Sequence, residues 1–154
     1  MRGDVTADIT KHVTYNVKQI VTSVLYDHLE VAMTTTDISI LEKRSAANTI
    51  QRAKEILGLN FSEVAEALGV QRQTVYRYRK LESVPNAEVQ ERLAKIREIS
   101  YLLSEVFIDE GTQLEWLYSP VPLLRERRPI DLIRKGEFDE VMSVLAGHYS
   151  GAFA

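Results

Sequence analysis

Apolar residues recur at the three- and four-residue steps of an α-helix through much of the chain. In residues 46–57, Ile50, Ala53 and Leu57 fall on one face, and Gly58 follows as a C-terminal stop. This segment therefore predicts a short helix that buries one side.

A longer apolar stripe runs from Val89 to Phe107. It predicts one helix over residues 86–110 that ends at Gly111. Short helical segments separated by proline and glycine follow, the last over about residues 138–146. Together these patterns predict an all-α fold class.

The first 45 residues are ambiguous. A stripe from Val13 to Leu29 fits a helix, while the alternation of Val13, Tyr15 and Val17 also fits a strand. A helix is the preferred interpretation, with residues 34–37 as a break. Because the stripe belongs to no obvious domain core, we expect it to help form a homodimer; packing on its own chain is the alternative.

The strongest motif spans residues 61–80 and has the pattern of a helix-turn-helix. Asn60 can cap the first helix, and Glu63 completes a capping-box pattern. Ala65 is small enough for two helices to cross closely, and Gly69 supplies the left-handed backbone angle of a sharp turn. This order of residue types predicts the fold of a DNA-binding module.

The second helix of this motif is predicted to enter the major groove of DNA. Arginine can match guanine and glutamine can match adenine there, whereas residues further along reach phosphates. The alternative is an ordinary helical hairpin with a solvated basic face. The predicted base-reading residues are Gln71, Arg72, Gln73 and Thr74, and the predicted phosphate contacts are Tyr76, Arg77, Arg79 and Lys80.

Charge is segregated along the chain, although the net charge is only −3. Residues 71–80 hold four basic and no acidic residues, whereas residues 82–115 hold eight acidic and three basic ones. A general nucleic-acid coat would be basic overall. The pattern therefore indicates one small basic contact surface on a neutral-to-acidic body.

Composition argues against several function classes. Without cysteine there are no disulfides or thiolate sites, which agrees with a cytoplasmic location. No apolar run approaches the roughly 18 residues of a membrane span, and no secretory signal follows Met1. The histidines show no metal-ligand spacing, and there is no phosphate loop or nucleophile elbow. We expect no enzyme, cofactor, metal or membrane partner.

Residues 113–154 predict a compact set of short helices. Ten apolar residues are expected to form their core, namely Trp116, Leu117, Leu123, Leu124, Ile130, Leu132, Ile133, Val141, Val144 and Leu145.

This segment resembles the toxin-binding domain of the Xre/MbcA/ParS antitoxin family, whose other half is a helix-turn-helix. The resemblance covers about residues 46–154. It is carried by Trp116-Leu117, Pro120, Leu123, the run Arg128-Pro129-Ile130-Asp131-Leu132-Ile133, Gly136, Val141, Leu145 and Gly151. One departure is visible: relatives often carry glycine before the Arg-Pro pair, where this chain has Arg125-Glu126-Arg127.

The resemblance implies the antitoxin of a type II toxin–antitoxin system. Its partners would be a cognate toxin of the RES class, which consumes NAD or transfers parts of it, and the operator DNA of its own operon. The C-terminal region would plug or border the toxin's active site, with a frayed terminus as the alternative. The predicted toxin contacts are Arg125, Arg127, Arg128, Tyr149, Gly151, Ala152, Phe153 and Ala154.

Four segments are thus expected: an N-terminal, possibly dimerising segment (1–45), a helix-turn-helix region (46–84), a connecting helix (85–112) and a toxin-binding domain (113–154). The rival interpretation is a stand-alone transcriptional repressor whose C-terminal domain only dimerises or binds an effector. A structural adaptor that uses the helix-turn-helix for protein contacts is a third. A toxin reading frame beside the gene would favour the antitoxin.

Overall fold

The structure, a computed structural model, describes residues 35–151. In this range the chain forms seven α-helices, one short 3-10 turn and no strand, so the all-α fold class is confirmed. None of these helices is long and apolar enough to cross a membrane. The elements are α1 Thr35–Leu57, α2 Phe61–Leu68, α3 Arg72–Arg79, α4 Ala87–Val106, α5 Glu110–Tyr118, the 3-10 turn Pro122–Leu124, α6 Pro129–Arg134 and α7 Phe138–Tyr149.

Helix α1 is longer than the apolar pattern predicts. It begins at Thr35 rather than at residue 46, because residues 35–45 contain no glycine or proline. Asp37 also places a negative charge in the first turn, where the helix dipole favours it. The predicted boundary after residue 45 therefore falls inside α1. The stripe from Val13 to Leu29 lies outside the described residues.

Contacts divide the chain into two compact units, residues 1–38 and 39–154. Of the first unit, only the start of α1 is described. In the second, one hydrophobic core extends from Ala46 on α1 to Leu145 on α7. The segments before and after α4 therefore share a single core.

The prediction of one helix over residues 86–110 is wrong at the C-terminal end, because the helix stops at Val106. Phe107 leaves the helix with an extended backbone (φ −117°, ψ 129°). The side chain of Asp109 then accepts a hydrogen bond from the N–H of Thr112 at 2.8 Å and caps a new helix, α5. Gly111 accordingly lies inside a helix rather than after one. The cap at Asp109 therefore starts a new helix, although the apolar periodicity of α4 continues past Phe107.

Helix α4 is the central helix of the core. Its residues Leu93, Ile96, Ile99 and Leu103 are almost completely buried, and each contributes about 1.5–3 kcal/mol by leaving water. α4 packs most extensively against α7 and also contacts α2. It therefore connects the helix-turn-helix to the C-terminal helices.

Eight of the ten predicted C-terminal core residues are buried, and two are not. Leu123 is 52% exposed, so its assignment to the core is wrong. Trp116 is only half-buried and packs on Phe107, with ring centroids 5.6 Å apart. Both residues therefore offer apolar surface to solvent.

Arg92 on α4 lies between two turns with left-handed backbone, at Gly69 (φ 66°) and Gly136 (φ 76°). Its Nη1 donates a hydrogen bond to the backbone oxygen of Ala67 at 3.2 Å, and its Nη2 pairs with Glu88 at 3.1 Å. A Cβ atom at Gly136 would lie 2.7 Å from Nη1 and 3.2 Å from the Ala67 oxygen. Glycine is needed at position 136 for its backbone angle and for the space it leaves to Arg92.

We expect Gly136→Ala to lower the free energy of unfolding by about 1–3 kcal/mol, because alanine is strained at this angle and its methyl group displaces Arg92. Urea unfolding followed by circular dichroism measures the change. Gly151→Ala is the matched control: Gly151 also has a positive φ (72°), but no atom lies within 4 Å of its Cβ position.

A double mutant separates the two causes. If Arg92 is displaced, Gly136→Ala should cost less when Arg92 is already alanine. Effects that add within about 0.5 kcal/mol would show that the contact with Arg92 does not matter.

Candidate functional site

The helix-turn-helix forms as its sequence signals predict. The Asn60 side chain accepts hydrogen bonds from the N–H groups of Ser62 and Glu63 at 2.9 and 3.1 Å, and the Glu63 side chain accepts from the Asn60 N–H at 2.8 Å. Ala65 is buried at the crossing. Gly69 ends α2 in the left-handed conformation. These local interactions fix the angle at which α3 leaves the turn.

Helix α3 buries Val75 and Tyr78 against the core and leaves the predicted DNA contacts on the outside. Burial also raises the pKa of Tyr78. Gln71 forms no side-chain cap, as expected of a weak N-cap. Six of the eight predicted contacts are exposed and two are half-buried; the exposed ones are Gln71, Arg72, Gln73, Arg77, Arg79 and Lys80, and the half-buried ones are Thr74 and Tyr76.

Aromatic rings hold two of the arginines on this surface. The Nη2 of Arg72 donates a hydrogen bond to the Tyr76 hydroxyl at 2.9 Å. The Tyr76 ring lies 5.5 Å from that of Phe61 at an angle of 58°. The guanidinium of Arg79 lies over the Phe61 ring, 4.2 Å from its centroid. Lys54 also approaches this ring, with its Nζ 5.3 Å from the centroid.

Sequence reasoning missed Lys54 and Phe61 as part of this surface. Phe61 has the pattern of an apolar residue at the start of a helix, and Lys54 belongs to the preceding helix. Only the packing of α1, α2 and α3 brings them beside Arg79, so no local signal marks them.

The predicted toxin contacts Arg127 and Arg128 form ion pairs within the chain. Arg127 pairs with Glu137 at 3.3 Å and with Glu140. Arg128 donates two hydrogen bonds to the Asp131 carboxylate, at 2.7 and 3.1 Å. These bonds, followed by those from Arg134, lower the pKa of Asp131. Arg127 therefore braces the turn before α6, and Arg128 braces the first turn of α6 itself.

Arg125 differs from these two arginines. It is exposed and has no ion pair among the described residues. Arg125 and Glu126 both have a positive φ, 57° and 61°. The turn is closed by backbone bonds from the Val121 N–H to the Arg127 oxygen and from the Glu126 N–H to the Val121 oxygen, each 3.1 Å.

An apolar groove of about 440 Å³ lies next to this turn. Trp116, Pro120, Leu123 and His148 line it. Leu123 is exposed there because the 3-10 turn directs Leu124 into the core instead. The groove is a surface on which another protein can bury apolar area.

The predicted C-terminal contacts are only partly described. Tyr149 is the last residue of α7 and is 57% exposed. Gly151 is exposed. Ala152, Phe153 and Ala154 lie outside the described residues, so contacts there remain predictions.

Two polar contacts join the helix-turn-helix region to the C-terminal helices. Arg134 on α6 forms an ion pair with Glu63 at 2.8 Å and a second with Asp131 at 3.1 Å. The Tyr118 hydroxyl donates to the backbone oxygen of Leu57 at 3.2 Å. Glu63 thus takes part both in the cap of α2 and in a link to α6.

Two further titratable groups with shifted pKa values have local structural partners. A hydrogen bond to Asp139 raises the pKa of Lys95, and one from Thr112 lowers that of Asp109. Across residues 35–151, no three His, Asp or Glu side chains are grouped so that they could hold a metal ion.

The chain is similar in sequence to known antitoxins. Residues 37–83, which include most of α1 and all of α2 and α3, match the model of a homeodomain-like domain. The chain is 31% identical over 107 residues to the mycobacterial cidal antitoxin MbcA of Mycobacterium tuberculosis, covering 70% of this chain and 94% of MbcA. It is 29% identical over 113 residues to a probable mycobacterial cidal antitoxin of the same species, covering 73% and 96%.

The fold is also similar to a chain in the crystal structure of the M. tuberculosis MbcT–MbcA toxin–antitoxin complex. The TM-score is 0.54 at 30% identity, over 70% of this chain and 96% of that one. The relatives are antitoxins rather than enzymes. The family resemblance inferred from residues 46–154 is confirmed: the chain belongs to the MbcA-type antitoxin family and carries a helix-turn-helix domain.

Proposed function

We propose that this protein neutralises a cognate toxin with its C-terminal face and represses its own operon by binding operator DNA. The observation that carries the proposal is its similarity to a chain of a toxin–antitoxin complex over 96% of that chain's length. Within the proposal the toxin is of the RES class and acts on NAD. The protein works in the cytoplasm, where its operator lies.

The DNA half of the proposal rests on α3. Its exposed surface carries three cations and no carboxylate, and Lys80 directly after the helix adds a fourth cation. Residues 71–74, at the start of the helix, read base edges, whereas Tyr76, Arg77, Arg79 and Lys80 contact phosphates. Tyr76 also orients Arg72 through the hydrogen bond between them.

The toxin half rests on the groove beside the 121–127 turn and on the C-terminal tail. Leu123 and Arg125 face outward there, while Arg127 holds the turn in shape. The tail supplies Phe153, whose full burial would contribute about 1.5–3 kcal/mol to binding. Tyr149, which is exposed at the end of α7, is a further toxin contact within this proposal.

Replacing Arg72 by alanine should cost about 1–3 kcal/mol of operator binding and relax sequence preference, because one bidentate base contact is lost. Fluorescence anisotropy with operator and unrelated duplexes measures both quantities. Arg79→Ala is the comparison variant, since loss of a phosphate contact should weaken both duplexes alike. Operator preference that survives in Arg72→Ala would refute the assignment of Arg72.

A chain that ends at Gly151 should keep its fold and its DNA binding but fail to neutralise the toxin, because it lacks Ala152, Phe153 and Ala154. Growth on co-expression with the toxin gives the result, and circular dichroism with a gel shift provides the controls. Arg79→Ala should protect cells fully, since it lies on the DNA surface. If the shortened chain protects cells as well as the full chain, the tail is not the plug, and Leu123→Glu then tests the groove.

The protein is expected to form a homodimer through the segment before α1, because specific DNA binding usually joins two half-sites. A chain that begins at Thr35 keeps every described helix and should be monomeric by multi-angle light scattering. If this chain remains dimeric, the stripe from Val13 to Leu29 is not the dimer surface.

A further inference from the structure

We propose that Lys54 and Arg79 together bind the backbone phosphates of one DNA strand, on a platform formed by the ring of Phe61. The inference rests on the proposed operator binding and extends the DNA surface beyond α3. It adds a cation from α1 and a positioning residue from α2 to that surface.

Three helices contribute to this arrangement. Lys54 lies in the last turn of α1, Phe61 is the first residue of α2, and Arg79 is the last residue of α3. The Arg79 guanidinium and the Lys54 ammonium lie 4.2 and 5.3 Å from the centroid of the same ring. Both cations are exposed, while Phe61 is half-buried and packs on the core. One ring thus contacts two cations that come from different helices.

The charges of these two side chains are not neutralised within the described part of the chain. Lys95, Arg92, Arg127 and Arg134 there each pair with a carboxylate, whereas Lys54 and Arg79 form no ion pair. Two cations brought to one ring repel each other, and an anion between or beside them removes that cost. The site therefore favours a ligand with closely spaced negative charges.

The position of the ring points to DNA as the source of this anion. Phe61 contacts Tyr76, and Tyr76 accepts the hydrogen bond of the base reader Arg72. Phosphates run along both edges of the groove that such a reader enters. Since the ring limits the freedom of both cations before binding, less side-chain entropy is lost when a phosphate arrives.

The test is the salt dependence of DNA binding by the full-length protein. The probes are a duplex spanning the DNA immediately upstream of this gene and an unrelated duplex of equal length. Lys54→Gln should lower the slope of log K against log salt by about 0.9 per bound protomer for both duplexes, the value of one lost phosphate contact. Lys43→Gln is the matched control, because it makes the same charge change on α1 far from the ring; its slope should equal that of the wild type.

A second pair of variants tests the ring. Phe61→Leu should weaken binding to both duplexes about two- to fivefold, which is the size of an exposed cation–π contact. Phe61→Tyr retains the π face and should restore both affinity and slope. If the role of Phe61 is purely structural, Phe61→Leu should instead lower the melting temperature. Phe61→Tyr should then fail to restore the salt slope.

The outcomes separate this inference from the proposed function. If the wild type binds the upstream duplex and Lys54→Gln has the same slope as Lys43→Gln, the shared phosphate site is refuted while operator binding stands. If the wild type binds neither duplex, both the operator proposal and this inference are refuted. The phosphate site is supported if Lys54→Gln lowers the slope while Lys43→Gln does not. Phe61→Tyr must also restore the affinity and slope that Phe61→Leu loses.

Discussion

The contact of Arg92 with two glycine turns is the constraint on which the arrangement of this protein depends. Its guanidinium lies between Gly69, the turn of the helix-turn-helix, and Gly136, the turn after α6, and it bonds the end of α2 through Ala67. Arg92 belongs to α4, which packs extensively on α7. One side chain thus sets the DNA-binding motif against the C-terminal helices, and the ion pair from Glu63 to Arg134 adds a second link at the opposite end of α2.

The parts of the fold that could be predicted are those governed by interactions over a few residues. The capping box at Asn60 and the turn at Gly69 depend on neighbours three to five positions away, so the sequence displays them directly. The end of α4 could not be predicted in the same way. There an apolar period continues past Phe107, and the cap at Asp109 competes with it. The periodicity alone does not tell which interaction is stronger.

The candidate sites show the same division. The basic character of α3 could be predicted from the sequence, and every predicted DNA contact on that helix is at least partly exposed. The ion pairs could not be predicted from the sequence. The carboxylates that pair with Arg127 lie ten and thirteen residues later, at Glu137 just before α7 and at Glu140 within it. Of three neighbouring arginines, two form ion pairs, whereas Arg125 forms none among the described residues. The cluster of Lys54, Phe61 and Arg79 forms only when three helices pack together. No local sequence pattern predicts it.

The turn before α6 combines a strained backbone with an adjacent apolar groove. Two residues with side chains, Arg125 and Glu126, occupy the left-handed region, at a cost of about 1–2 kcal/mol each. Such strain persists only where the surroundings determine it. Here the backbone bonds of Val121 and the ion pairs of Arg127 do so. A glycine-containing turn would relax more easily, whereas this turn keeps Leu123 and Arg125 directed outward, beside the groove, before any partner binds. Preorganisation of this kind lowers the entropy that is lost when a partner protein binds at such a surface.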